Sequence, residues 1–231
     1  MLKVLKPASD ERNAAGLLRH LDGDGAVRLY EADENALVLE RAIGSRSLVT
    51  MAISGRDAEA AEILAETVIK LHAPRDCGVV PELTPLEQHF SSLHARAGTM
   101  PLLGRCAAVA RGLLATERDV LPLHGDLHHE NVVDGGRRGW LAIDPKALFG
   151  ERAYEVANLL CNPSPHAEIV HQPDRMRWLA ELYAARLGLD ARRVLAFAFA
   201  HAGLSASWDM DDGIDPTYRL RCAEVLDELV D

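Results

Sequence analysis

The chain has 231 residues, of which 48% are hydrophobic and 26% charged, a balance that suits one large globular domain or two small ones with a real core. Its formal net charge of −10 argues against nucleic acid and anionic membranes as partners and suits a cationic small molecule. No apolar run approaches the ~20 residues of a membrane span, and Met1-Leu-Lys-Val has no secretory pattern, so a cytoplasmic location is expected.

In chain order, Leu2 to Lys6 reads as a short strand ended by Pro7. Ser9 or Asp10 is placed to cap a helix running to Leu21, with Ala14, Leu17, Leu18 and Leu21 on one face. Asp22-Gly-Asp-Gly25 is a turn, followed by predicted strands at Ala26–Tyr30 and Ala36–Glu40 around a polar turn at Asp33 to Asn35. Arg41-Ala-Ile-Gly44 leaves the sheet and divides a small β segment, residues 1–43, from a mainly helical one, residues 44–231. Helices are expected at Asp57–His72, Leu86–Ala97, Leu102–Thr116, Tyr154–Cys161, Arg175–Leu187, Ala191–Trp208 and Tyr218–Val230. This order is α+β, not alternating βαβ. Cys77, Cys106, Cys161 and Cys222 form no C-x-x-C pair and read as buried free thiols.

The chemistry concentrates in Leu121-Pro-Leu-His-Gly-Asp-Leu-His-His-Glu-Asn-Val-Val133. An apolar run stops at His124-Gly125, a carboxylate follows at Asp126, and a carboxamide stands at Asn131. A second short strand, Trp140-Leu-Ala-Ile143, delivers Asp144, and Asp134-Gly-Gly136 is the turn that folds it back beside Asn131. One Asp to deprotonate a hydroxyl, with an Asn and a second Asp to hold Mg²⁺ against ATP phosphates, is the kit of phosphoryl transfer. Zinc is the competing reading of His124, His128 and His129. It lacks support, because His129-Glu130 opens an H-E-x-x-H pattern that ends on Val133. His124 is expected to pack under the loop with its ring on backbone.

His124-Gly-Asp-Leu-His-His-Glu-Asn131 followed by Ile143-Asp-Pro-Lys146 resembles the signature of aminoglycoside phosphotransferases, which have a protein-kinase-like bilobal fold. The run from Ile143 to Pro163 is similar to the streptomycin 6-phosphotransferase and hydroxyurea phosphotransferase group, as are Gly25 to Leu29, Leu39-Glu-Arg-Ala42 and Gly203 to Trp208. The resemblance implies Asp126 as catalytic base, with Asn131 and Asp144 as Mg²⁺ ligands. It implies Lys3 at the ATP phosphates, with Lys6 as competitor and Glu11 as a helix carboxylate for that lysine. It implies the Glu40 carbonyl and Ala42 N–H at adenine, and Glu155 as a brace for the loop.

Trp208-Asp-Met-Asp-Asp-Gly-Ile-Asp215 holds four Asp and no base. Trp208, Asp209 and Asp212 are candidates to hold guanidinium groups of a streptomycin-like substrate, against the alternative of a solvated helix end. The glycine-rich hairpin of such kinases does not precede Lys3 here, which implies a truncated start or a degenerate relative. Three functions follow: a kinase of an aminoglycoside, a binding protein of kinase descent, or a kinase of hydroxyurea or a metabolite. Oligomeric state is not legible.

Overall fold

A computed structural model of the chain describes residues 1–5, 13–75 and 82–230. Ser9, Asp10, Lys6, Glu11 and Cys77 lie outside the described residues. The chain divides into two compact units, one of Met1–Thr84 with Leu121–Phe149 and one of Pro85–Val120 with Gly150–Asp231. Short extended stretches mark the passages between them: β4 at Thr84–Pro85, β5 at Val120–Leu123 and β8 at Leu148–Glu151.

The first unit opens on β1, Leu2–Val4, and continues through α1, Ala14–Leu21, to β2, Leu29–Ala32, and β3, Ala36–Leu39. The three strands form an antiparallel sheet in the order β1-β3-β2, with Lys3 opposite Leu37. Strand alternation turns Lys3 to the half-buried face and leaves Leu2 and Val4 exposed on the other. Asp33 builds the β2–β3 turn by accepting the N–H groups of Asn35 and Ala36, both at 2.7 Å. β2 starts three residues later than its composition suggests. Residues 25–27 are drawn onto another strand: Ala142 N–H donates to Gly25 O at 2.8 Å and Val27 N–H to Ala142 O at 3.0 Å.

A short helix that the apolar spacing does not announce, α2 at Leu48–Met51, is capped by Ser47, whose hydroxyl accepts Thr50 N–H. A π-type turn at Ala52–Arg56, kinked at Gly55, leads into α3, Asp57–Leu71. Its buried face carries Ala60, Leu64, Val68 and Leu71 as expected, while Ile63 is half-buried and Ala61, Ala65 and Thr67 also turn inward. β6, Val132–Asp134, and β7, Trp140–Ala142, make the expected hairpin, with Val132 opposite Ala142.

The second unit is helical. The stretch 86–97 forms two helices, α4 at Leu86–His89 and α5 at Ser91–Arg96. Between them Phe90 leaves helical geometry (φ −79°, ψ 3°) and its buried ring meets Tyr154 edge-on at 5.6 Å. α6 spans Pro101–Leu114, a 3₁₀ turn at Arg152–Val156 leads into α7, Ala157–Leu160, and α8 is Ala167–Val170. α9 spans Pro173–Leu187, α10 Ala191–Asp211 and α11 Thr217–Val230. The middle of α10 is buried continuously from Phe197 to Ser207, so it forms the axis on which α5, α6, α7, α9 and α11 pack. Among the described residues no helix is long and apolar enough to cross a membrane. Cys106, Cys161 and Cys222 are buried free thiols, and burial pushes the Cys106 thiol up to about 12.

Candidate active site

The loop between β5 and β6 is built around one imidazole. His124 Nε2 lies 2.8 Å from Ile143 O, and its Nδ1 accepts the Asp126 N–H at 3.3 Å. A ring nitrogen that accepts cannot carry the proton, so Nε2 is the protonated one and donates to Ile143. One buried ring thus spans the backbone at Asp126 and the residue before Asp144. The His124 carbonyl accepts Lys146 N–H at 2.8 Å, which closes the second loop onto the first.

Two backbone conformations shape this turn. Gly125 has φ +80°, and a Cβ there would fall 2.5 Å from the Leu148 side chain, so both the conformation and the space call for glycine. Asp144 itself is left-handed, at φ +58°, a conformation uncommon outside glycine that is met at functional turns.

Asn131 is fixed from three sides. Its N–H donates to His128 O at 3.0 Å, its carbonyl accepts Ile143 N–H at 2.9 Å, and its Nδ2 donates to Asp126 O at 2.9 Å. With Nδ2 committed, Oδ1 is the atom left to accept or coordinate. The Ile143 bond sets Asn131 beside the chain that delivers Asp144. Lys3 Nζ lies 2.8 Å from Asp144 Oδ1, and these side chains are 22% and 35% exposed. Strand and loop therefore bring Lys3, Asp126, Asn131 and Asp144 into one neighbourhood of the first unit. A carboxylate and a carboxamide oxygen are hard donors of the kind Mg²⁺ takes, so the residues present fit that ion. Among the described residues no group of three or more His, Cys, Asp or Glu is placed to hold a metal.

Glu40 and Ala42 follow β3 directly. Glu40 N–H donates to Arg28 O at 2.8 Å, and its carboxylate accepts Arg28 N–H at 3.0 Å and pairs with Arg138. The side chain is thus engaged in structure. Sequence reasoning missed Arg46, Asp134 and Arg138, which hold this segment. Asp134 looked like an ordinary turn residue, and its buried carboxylate could not be read from the Asp-Gly-Gly pattern.

The acidic run lies in the second unit and is not uniform. Asp211 accepts Arg96 Nε at 2.9 Å and the Ser92 hydroxyl, and Asp215 caps α11 by accepting Thr217 N–H at 3.0 Å. The Ser92 hydroxyl and Arg96 hold Asp211, and the Thr217 hydroxyl and N–H hold Asp215, below the usual carboxylate range. Asp212 is exposed at the end of α10. Asp209 differs: burial, opposed by nearby Arg219 and reinforced by Asp212 and Asp215, pushes its carboxyl up. Trp208 packs edge-on against His89 at 5.1 Å and His201 at 6.1 Å. Glu155 is buried in the same unit.

Comparison with known proteins places this arrangement. The sequence model described as aminoglycoside/hydroxyurea antibiotic resistance kinase matches residues 1–213. A streptomycin 3''-kinase of Klebsiella pneumoniae is 44% identical over 216 residues, covering 92% of this chain and 80% of its own. A streptomycin 6-kinase of Streptomyces griseus is 32% identical over 226 residues, covering 92% and 71%. The crystal structure of a choline/ethanolamine kinase family protein from Mesorhizobium loti aligns with a TM-score of 0.68 at 14% identity, covering 100% of this chain and 82% of that one. That likeness gives the fold, an α+β protein-kinase-like one in which helices dominate. The chain belongs to the aminoglycoside/hydroxyurea antibiotic resistance kinase family.

Proposed function

We propose that the chain is an ATP-dependent phosphotransferase that moves the γ-phosphoryl group of ATP to a hydroxyl of a streptomycin-type aminoglycoside. The observation that carries this reading is the single imidazole, His124, bonded to both Asp126 N–H and Ile143 O, which holds the base and the metal-binding carboxylate on one frame. The 44% identity to a protein named streptomycin 3''-kinase supports the substrate class, and its excess over the 32% to a 6-kinase favours the 3'' hydroxyl.

Asp126 takes the proton of the acceptor hydroxyl as that oxygen attacks the γ-phosphorus and the bond to the bridging oxygen of ADP breaks, a contribution of about 10²–10⁴-fold. Asn131 Oδ1 and Asp144 would hold Mg²⁺, and an ion held there would supply positive charge to offset that of the phosphates. Lys3 is within reach of the same phosphates, because it already meets Asp144. The Glu40 carbonyl and Ala42 N–H pair with adenine by backbone, so their side chains are not read. Trp208, Asp209 and Asp212 receive the cationic groups of the substrate, while Asp211 and Asp215 are spent on structure.

Phosphorylation of streptomycin by the purified chain, followed by NMR assignment of the modified hydroxyl, tests the reading. Asp126→Ala and Asp144→Ala are expected to lower turnover by at least a hundredfold. Turnover unchanged in either variant sinks it. MgATP binding without transfer to any aminoglycoside or to hydroxyurea would favour a binding role.

A further inference from the structure

We infer that two crossed arginine–carboxylate pairs clamp residues 40–46 onto the β6–β7 hairpin, making Arg46, Asp134 and Arg138 positioning residues for the nucleotide. The inference rests on the reading of the Glu40 carbonyl and Ala42 N–H as partners of adenine.

Both pairs join the segment after β3 to the hairpin, and they run in opposite senses. In one, the segment supplies the carboxylate: Glu40 pairs with Arg138, which also donates to Gly23 O. In the other, the segment supplies the guanidinium. Arg46 Nε and Nη2 meet the two oxygens of Asp134 at 2.8 and 3.0 Å, a bidentate fork. Arg46 also stacks over Trp140 of β7, 4.9 Å from the ring centre. Because the senses alternate, exchanging partners would set arginine against arginine and carboxylate against carboxylate. The charge pattern therefore accepts one direction of the segment along the hairpin and rejects the reverse.

Backbone closes the clamp between the two pairs. Gly44 N–H donates to Asp134 O at 2.8 Å, and a Cβ on Gly44 would fall 2.0 Å from the Asp134 carboxyl carbon. Asp134 is 7% exposed and also accepts the N–H groups of Arg46 and Gly136. The Arg46 fork holds its carboxyl well below the usual carboxylate range.

The hairpin is what makes this functional. β6 begins at the residue after Asn131, and β7 ends two residues before Asp144. One rigid strand pair thus carries the oxygen donors proposed for Mg²⁺ at one end and grips the proposed adenine edge at the other. Its length sets the span between the base and the phosphates of one nucleotide. Such preorganisation lowers the cost of binding without touching the ligand.

The test uses Arg46→Lys, which keeps charge but loses the fork, Arg138→Lys, which keeps charge but cannot span Glu40 and Gly23 O together, and Gly44→Ala, which forces the segment off the hairpin. Amide hydrogen exchange without nucleotide is read at residues 41–46, and MgATP affinity is read by calorimetry. Exchange there should quicken at least tenfold in each folded variant, MgATP affinity should weaken roughly tenfold, and the KM for streptomycin should stay within twofold. If Gly44→Ala does not fold, the two lysine variants carry the test. Parent-like exchange at 41–46 overturns the clamp. Quickened exchange with parent-like MgATP affinity overturns the positioning role and leaves a purely structural pair. A parent chain that binds no MgATP overturns the nucleotide reading itself, an outcome distinct from failure of the clamp, which leaves parent binding intact.

Discussion

The pair of Lys3 with Asp144 shows how much a single residue's surroundings matter here. Each side chain is part-exposed, so the pair adds little to stability, about 0–1 kcal/mol. Its consequence is for binding. A lysine already resting on the proposed metal ligand must share that carboxylate when Mg²⁺ and phosphates arrive. Lys3→Met is therefore expected to leave the Tm within about 2 °C while weakening MgATP affinity by about tenfold or more. A thermal scan alongside a calorimetric titration checks both halves, and equal MgATP affinity in Lys3→Met would remove Lys3 from the site.

Asp209 yields a prediction at the scale of the element, because it stands half-buried in the C-terminal turn of α10. Its folded-state pKa is raised, so the folded chain holds that proton more tightly than the unfolded chain does. The contribution of Asp209 to stability is then fully present below the ordinary carboxylate pKa of about 3.9 and is lost as pH rises through the raised value. Asp209→Asn abolishes that loss. The variant should melt higher than the parent at pH 7, and the gap should close as pH falls toward about 4. The same substitution should raise the KM for streptomycin several-fold, since a guanidinium group relieves the cost of the buried carboxylate. A variant that melts higher at pH 7 yet keeps its KM would make Asp209 a stability liability without a substrate role.

At the scale of the whole molecule the net charge of −10 acts on encounter more than on fold. A cationic substrate is drawn to such a chain, and salt screens the attraction over a Debye length of about 8 Å at physiological ionic strength. Raising salt from 50 to 500 mM should therefore lower kcat/KM for streptomycin several-fold while changing kcat little. For neutral hydroxyurea the salt slope should be close to zero. A streptomycin kcat/KM indifferent to salt would argue that charge plays no part in capture.

What could be read without coordinates was whatever neighbouring stretches of the chain settle among themselves. The strand, turn and strand from Leu121 to Ile143, the helical face of Ala60, Leu64, Val68 and Leu71, and the spacing of Asp126, Asn131 and Asp144 all follow from local period and turn chemistry. Helix type and continuity around Phe90 and Arg152 did not follow, since a buried ring or a 3₁₀ turn is chosen by neighbours from elsewhere. Only the tertiary structure could put Arg46 on Asp134 and Arg138 on Glu40, pairs 88 and 98 residues apart, or spend Asp211 on Arg96 and leave Asp212 exposed. An acidic or basic side chain reads alike wherever it stands in a sequence. Its partner, its burial and therefore its job depend on which distant segment the folded backbone lays against it.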